Sequence, residues 1–200
     1  MHLIAKLLSN FQKRNIQWQT MRIILQLCGL SPSRGWEETT LKLEKEISQN
    51  SSDYIENLKK LEICYGNYLL TGQKAVKIFR MDSSELSSLC GILKSHELPT
   101  TIYDETYPFP LNKHRLKEVN SAPELVEIRE INESLALVFC TKRNVSETIK
   151  IDPAELGIER NSYDEIIGKR RYTDQFFDVV FLRPNSGLVE IRVDTRLYRK

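Results

Sequence analysis

The sequence is poor in the residues that usually carry chemistry. It has four cysteines and three histidines in 200 residues. Cys28, Cys64, Cys90 and Cys140 are far apart and form no CxxC pair, so neither a zinc ribbon nor a disulfide framework is indicated. They read as small buried thiols in a reducing compartment. A zinc site joining His96 and His114 to one or more of them is the alternative. There is no run of about 18 apolar residues, which argues against a membrane span. Ser-His-Asp, Cys-His, Walker A, GxGxxG and HExxH patterns are also missing. No catalytic residue, metal ligand or cofactor is therefore assigned. Asn144-Val145-Ser146 fits the glycosylation sequon, but free cysteines without a signal peptide argue against its use.

Charge of one sign is scarce too. Lys and Arg number 29 against 27 Asp and Glu, for a net charge of +2. The chain as a whole offers no electrostatic argument for a polyanionic partner. Residues 1–100 carry 13 basic against 10 acidic side chains, and residues 101–200 carry 16 against 17. No acidic residue precedes Glu37, while Lys6, Lys13, Arg14, Arg22 and Arg34 do. That bias, with Leu3, Ile4, Leu7, Leu8 and Phe11 on one helical face, is similar to an organellar transit peptide. The other reading is a first helix packed on the body of a domain, and the apolar Met21–Leu30 stretch favours it. The expected location is intracellular, in cytoplasm or nucleus, with the mitochondrion as the alternative.

Apolar periodicity is plentiful. It predicts helices over residues 2–14, 17–28 and 36–48, with Gly29 closing the second. From Asp53, Tyr54, Leu58, Leu61 and Tyr65 recur at helical spacing, and Gly66 is expected to stop that helix. Asn67–Thr71 and Lys74–Arg80 then fit two strands of a tight hairpin turning at Gly72-Gln73, with Leu69 opposite Val76. The order helix, helix, helix, hairpin, together with the phrase LKKLEICYGNYLLTGQKAVKIFR, resembles the winged-helix superfamily over roughly residues 15–81. The resemblance implies a contact face on the third helix and the wing. Asn57, Lys59 and Lys60 would come from the helix and Gln73, Lys74 and Lys77 from the wing. Lys attracts phosphate, and Asn or Gln can read base edges. Glu56 and Glu62 offset the two helix lysines.

Asp82-Ser83-Ser84-Glu85 opens a further helix that runs to about Ser95. Residues 97–123 hold four of the seven prolines and are expected to form a linker with one short helix over Asn112–Val119. Beyond it, Glu124–Ile131 and Ser134–Lys142 form a hairpin around Asn132-Glu133, pairing Ile128 with Leu137 and Val126 with Phe139. Glu147–Ile151 reads as a third strand. Pro153–Leu156 and Ser162–Lys169 read as short helical turns. Phe176–Arg183 and Leu188–Asp194 close the chain around Pro184-Asn185-Ser186-Gly187.

The expected fold class is α+β: a winged-helix-like helical domain over 1–96, a linker over 97–123, and an antiparallel α+β domain over 124–200. The expected function is a non-enzymatic nucleic-acid-associated or regulatory adaptor, with DNA or a protein as partner. The alternative is a structural interaction subunit of a larger complex. Asp178 with Glu190-Ile191-Arg192, in FDVVFLRPNSGLVEIRVD, also resembles the metal-binding hairpin of PD-(D/E)xK nucleases. That resemblance would imply Mg²⁺ chemistry, although Arg192 stands where a Lys is usual and cannot act as a base. Keeping the apolar residues on one face puts Val179 opposite Ile191 and Asp178 opposite Arg192. Asp178 and Glu190 then share the other face, where a cross-strand Asp–Arg pair needs no catalysis. Three basic clusters complete the candidates: 112–117, Lys169-Arg170-Arg171-Tyr172, and 196–200.

Overall fold

The computed structural model describes residues 3–47, 52–157 and 165–195. The protein is α+β, with helices mainly N-terminal and an antiparallel five-stranded sheet C-terminal. It divides into two compact units, residues 1–75 and 76–200. Among the described residues, no helix is long and apolar enough to cross a membrane.

The first unit holds α1 (Leu3–Lys13), α2 (Trp18–Leu27), α3 (Gly35–Ile47) and α4 (Ser52–Thr71). Ile4, Leu7, Leu8 and Phe11 line one face of α1 and are wholly buried, so this stretch is the packed first helix that its periodicity allowed. Phe11 meets Tyr65 of α4 edge-on at 5.0 Å. Tyr54 donates its hydroxyl to the Leu43 carbonyl at 2.8 Å, tying α4 to α3. The end of α2 is a Schellman turn. Gly29 sits at φ +76°, its N–H bonds Gln26 O, and the Leu30 N–H bonds Leu25 O.

One expectation fails in this unit. Helix α4 does not stop at Gly66; it continues to Thr71. Leu69 and Leu70 prolong the buried face set by Leu58, Leu61 and Tyr65. Burying two leucines stabilises by about 1.5–3 kcal/mol each, which outweighs the roughly 1 kcal/mol that a helical glycine costs. Residues 67–71 are thus helix, and the expected wing hairpin is not formed. Strand β1 (Lys74–Arg80) instead hydrogen-bonds to β5 (Leu188–Asp194).

The second unit adds α5 (Ser83–Lys94), α6 (Lys113–Glu118), β2 (Glu124–Ile131), β3 (Ser134–Ile151) and β4 (Ile166–Arg183). The strand order is β1-β5-β4-β3-β2. Asp82 caps α5 by accepting from the N–H groups of Ser84 (2.8 Å) and Glu85 (3.1 Å). Asn112 caps α6 in the same way. Leu86 and Cys90 of α5 pack on Leu135, Leu137 and Leu182, covering one face of the sheet. The proline-rich segment covers the other. Its Tyr103, Phe109, Leu111, Leu116 and Val119 are buried, the Tyr107 and Phe177 rings lie 6.1 Å apart, and the Leu111 N–H donates to Gln175 Oε1 at 2.9 Å. The unit boundary therefore falls at Ala75/Val76 rather than after residue 96. Residues 97–123 belong to the sheet domain.

Two strand expectations also change. Strands β3 and β4 are each 18 residues long and pair without a break from Leu135–Leu182 to Ile151–Ile166. Residues 166–169 are therefore strand rather than helical turn, and residues 162–164 lie outside the described part. On β2 the pair Ile128–Leu137 forms as expected, but a bulge near Val126 puts Leu125 opposite Phe139.

Candidate nucleic-acid interface

The residues expected at a helix-and-wing face are dispersed. Asn57 is half-buried, and its Nδ2 donates to Gly29 O at 3.1 Å, so its amide supports the end of α2. Lys60 is exposed and pairs with Glu56 at 2.8 Å; the hydrogen bond and charge of Lys60 hold the Glu56 carboxyl below its usual range. Lys59 is exposed, two positions from Asn57 and so on a different side of α4. Gln73 and Lys74 are half-buried after the helix ends. Lys77 is exposed on β1 and lies in the other unit.

The carboxylate pair is separated as well. The β4–β5 register sets Val180 opposite Ile191 and Phe181 opposite Glu190, one residue away from the expected pairing. A one-residue shift exchanges faces. Asp178, opposite Phe139 on β3, lies on the α5 side, and Glu190 lies on the other. Asp178 is fully engaged there. It pairs with Arg143, accepts from Thr141 Oγ1 at 3.1 Å, and accepts from the Asp194 N–H at 2.9 Å. Glu190 pairs with Arg183 at 2.5 Å and Arg192 at 2.6 Å. Burial pushes the Glu190 carboxyl up, but the two guanidiniums outweigh it and hold it below its ordinary value. Among the described residues, no three His, Cys, Asp or Glu side chains are grouped to hold a metal ion, and this includes His96 and His114.

The residues that do assemble lie on the outer half of the β3–β4 hairpin. From Lys142–Gln175 to Ile151–Ile166, the two strands pair only with each other among the described residues and form a ribbon. Strand alternation sorts their side chains by charge. One face carries Lys142, Asn144, Ser146, Thr148 and Lys150 from β3, and Ile167, Lys169, Arg171, Thr173 and Gln175 from β4. Among the paired positions it holds four cations, four short hydrogen-bonding side chains and no carboxylate; Glu165, just before β4, brings a carboxylate to Lys150 at the tip. The other face takes the ribbon's acidic residues, Glu147 and Asp174, with Val145, Ile149, Ile151, Ile166 and Tyr172.

That second face explains why the ribbon holds together. Glu147 pairs with Arg170 and accepts from Tyr172 Oη at 3.1 Å, and the Arg170 guanidinium lies 5.3 Å over the Tyr172 ring. Burial, and then the Glu147 contact, raises the Tyr172 phenol above its usual value. Gly168 leaves room for Ile151, whose Cδ1 would lie 2.5 Å from any Cβ built there. On the polar face the two outermost cations are tethered. Lys142 donates to Val119 O near the base, and Lys150 pairs with Glu165 at 2.5 Å near the tip. Lys169 and Arg171 lie between them, exposed and about 7 Å apart along β4.

The basic cluster 169–172 was visible in the sequence; its division between two faces was not. Arg170 and Tyr172 serve the structural face, and Lys169 and Arg171 the open one. The cluster at 112–117 lies on α6 and its cap, where Arg115 pairs with Glu105 and Glu118. Residues 196–200 lie outside the described part.

Comparison with known proteins adds no relative: no family model, no curated protein and no solved structure matches the chain.

Proposed function

We propose that this chain is a non-enzymatic, nucleic-acid-associated adaptor that contacts duplex DNA through the open face of the β3–β4 ribbon. The observation that supports this reading is that Lys169 and Arg171 lie exposed among paired positions that carry no carboxylate, Glu147 and Asp174 being on the ribbon's other face and Glu165 engaged with Lys150 at the tip. A net charge near zero gives no general attraction to polyanions, so a stretch of paired positions cleared of acid is the place where phosphate would be held. A two-stranded ribbon fits the DNA major groove, whereas the deep, narrow groove of duplex RNA would exclude it. Lys169 and Arg171 would neutralise phosphates, and Ser146, Thr148 and the Asn144 amide, whose oxygen accepts from Thr173 Oγ1 at 3.0 Å, would donate to phosphate oxygens or base edges.

The test is fluorescence anisotropy with labelled duplex DNA, duplex RNA and single-stranded DNA over a salt series. The expected result is preferential duplex-DNA binding that weakens with salt and is lost in Lys169→Glu/Arg171→Glu, while Lys59→Glu/Lys60→Glu binds normally. The reverse pattern would move the contact to α4. Equal binding to RNA would remove the groove argument. No binding to any of these at low salt would end the proposal.

A further inference from the structure

We propose that the free edge of β1 is a docking site for an extended acidic segment of a partner protein, which joins the sheet as a sixth strand. Strand β1 is the edge of the sheet, with β5 on one side and no described strand on the other. Edge strands are normally kept short, covered or guarded by charged side chains, because their unpaired backbone groups recruit other chains. This one is seven residues long and open. Val76 is 52 % exposed, Ile78 60 %, Phe79 41 %, and Met81 just beyond it 40 %. Four large apolar side chains on an uncovered edge are a site in search of a strand.

The backbone direction follows from one bond. The Met81 N–H donates to Gly187 O at 2.9 Å, which aims it at β5. Main-chain groups alternate along a strand, so the N–H and C=O of Val76, Ile78 and Arg80 point away from the sheet, toward the open edge. Val76 and Ile78 share one face, and Lys77 lies over the Phe79 ring at 5.1 Å on the other. An added strand would therefore find hydrogen-bonding groups on its path and apolar contacts on both sides.

Charge selects the occupant. From Val76 onward β1 carries Lys77 and Arg80 and no acidic residue. A second copy pairing here would bring two sets of these cations together with no carboxylate between them, and like charges facing across strands repel. Nucleic acid would be drawn to the cations but has no use for the exposed Val76, Ile78 and Phe79. A strand alternating carboxylates with apolar residues satisfies both features. No residue of the β3–β4 ribbon takes part in this edge, so the two proposals fail independently.

The test uses the full chain and a fluorescein-labelled peptide in which Glu alternates with Val, beside the same peptide with Lys in place of Glu. The acidic peptide is expected to bind, to weaken with salt, and to slow amide hydrogen exchange at Val76, Ile78 and Arg80. Lys77→Glu/Arg80→Glu should lower its affinity about tenfold. Ile78→Pro removes an outward donor without breaking a β1–β5 bond, so binding should fall while thermal stability holds. Equal binding of the lysine peptide, binding that leaves those three amides unprotected, or self-association through β1 in sedimentation would each overturn the proposal. So would the absence of any binding.

Discussion

Asp178 and Glu190 stand on opposite faces of one hairpin, Asp178 held by Arg143 and Glu190 by Arg192 and Arg183. They share no partner, so their substitutions should act independently. Asp178→Asn and Glu190→Gln are each expected to cost about 1–3 kcal/mol, and the double variant to cost the sum. Urea denaturation of the four proteins checks this. Millimolar Mg²⁺ should leave all four midpoints unchanged; a Mg²⁺-dependent shift abolished by either substitution would contradict the separation.

Glu190 also sets a pH dependence. Its folded-state pKa lies below its unfolded value. Its contribution is therefore complete above the ordinary Glu range, near 4.3, and is lost as pH falls through the lowered folded value. Wild type should lose stability relative to Glu190→Gln as pH drops below about 4.5. Denaturation at two pH values on either side of that range measures it. Parallel curves would show that the pair contributes nothing.

Asn57 is expected to act on stability rather than on nucleic acid, because its amide is bonded to Gly29 O. Asn57→Ala should cost about 1 kcal/mol. Gly29→Ala should cost about 1–2 kcal/mol, since φ is +76° and the new Cβ would lie 2.8 Å from Asn57 Nδ2. The double variant should cost less than the sum, because removing the amide relieves that clash. An Asn57→Ala protein of full stability that has lost DNA binding would return the contact to α4.

Cys28 and Cys64 place their sulfurs 3.7 Å apart. Burial, and then the neighbouring Cys64, pushes the Cys28 thiol up to about 12. A thiol with a raised folded pKa stabilises fully below its unfolded value of 9.0 and loses that contribution as pH rises toward the folded one. Native Cys28 should resist maleimide at pH 8 and react on unfolding. Wild type should also lose stability between pH 9 and pH 11 faster than Cys28→Ala, values spanning roughly the window between the two pKa values. Rapid native labelling of Cys28 would show that the site is open.

Much of this molecule follows from local chemistry alone. The helices over 3–13, 18–27 and 35–47, the Gly29 stop, the Asp82 and Asn112 caps, and the hairpins at Asn132-Glu133 and Pro184–Gly187 all lie where periodicity and turn residues place them. These features depend on neighbours a few residues away, so the sequence by itself determines them. Tertiary structure decided the rest. Gly66 stays helical because Leu69 and Leu70 find a core, and β1 takes β5 rather than a local partner. The β4–β5 register shifted because both faces of the sheet are covered, so its apolar residues did not need to share one face. The four-residue Pro184–Gly187 loop, with Gly187 at φ +62°, supplies the extra residue. That same two-sided pairing, carried out to Ile151 and Ile166, put Lys169 and Arg171 on the face opposite Glu147 and Asp174. Long-range pairing chooses which side of a strand a charge occupies, and no local pattern contains that choice.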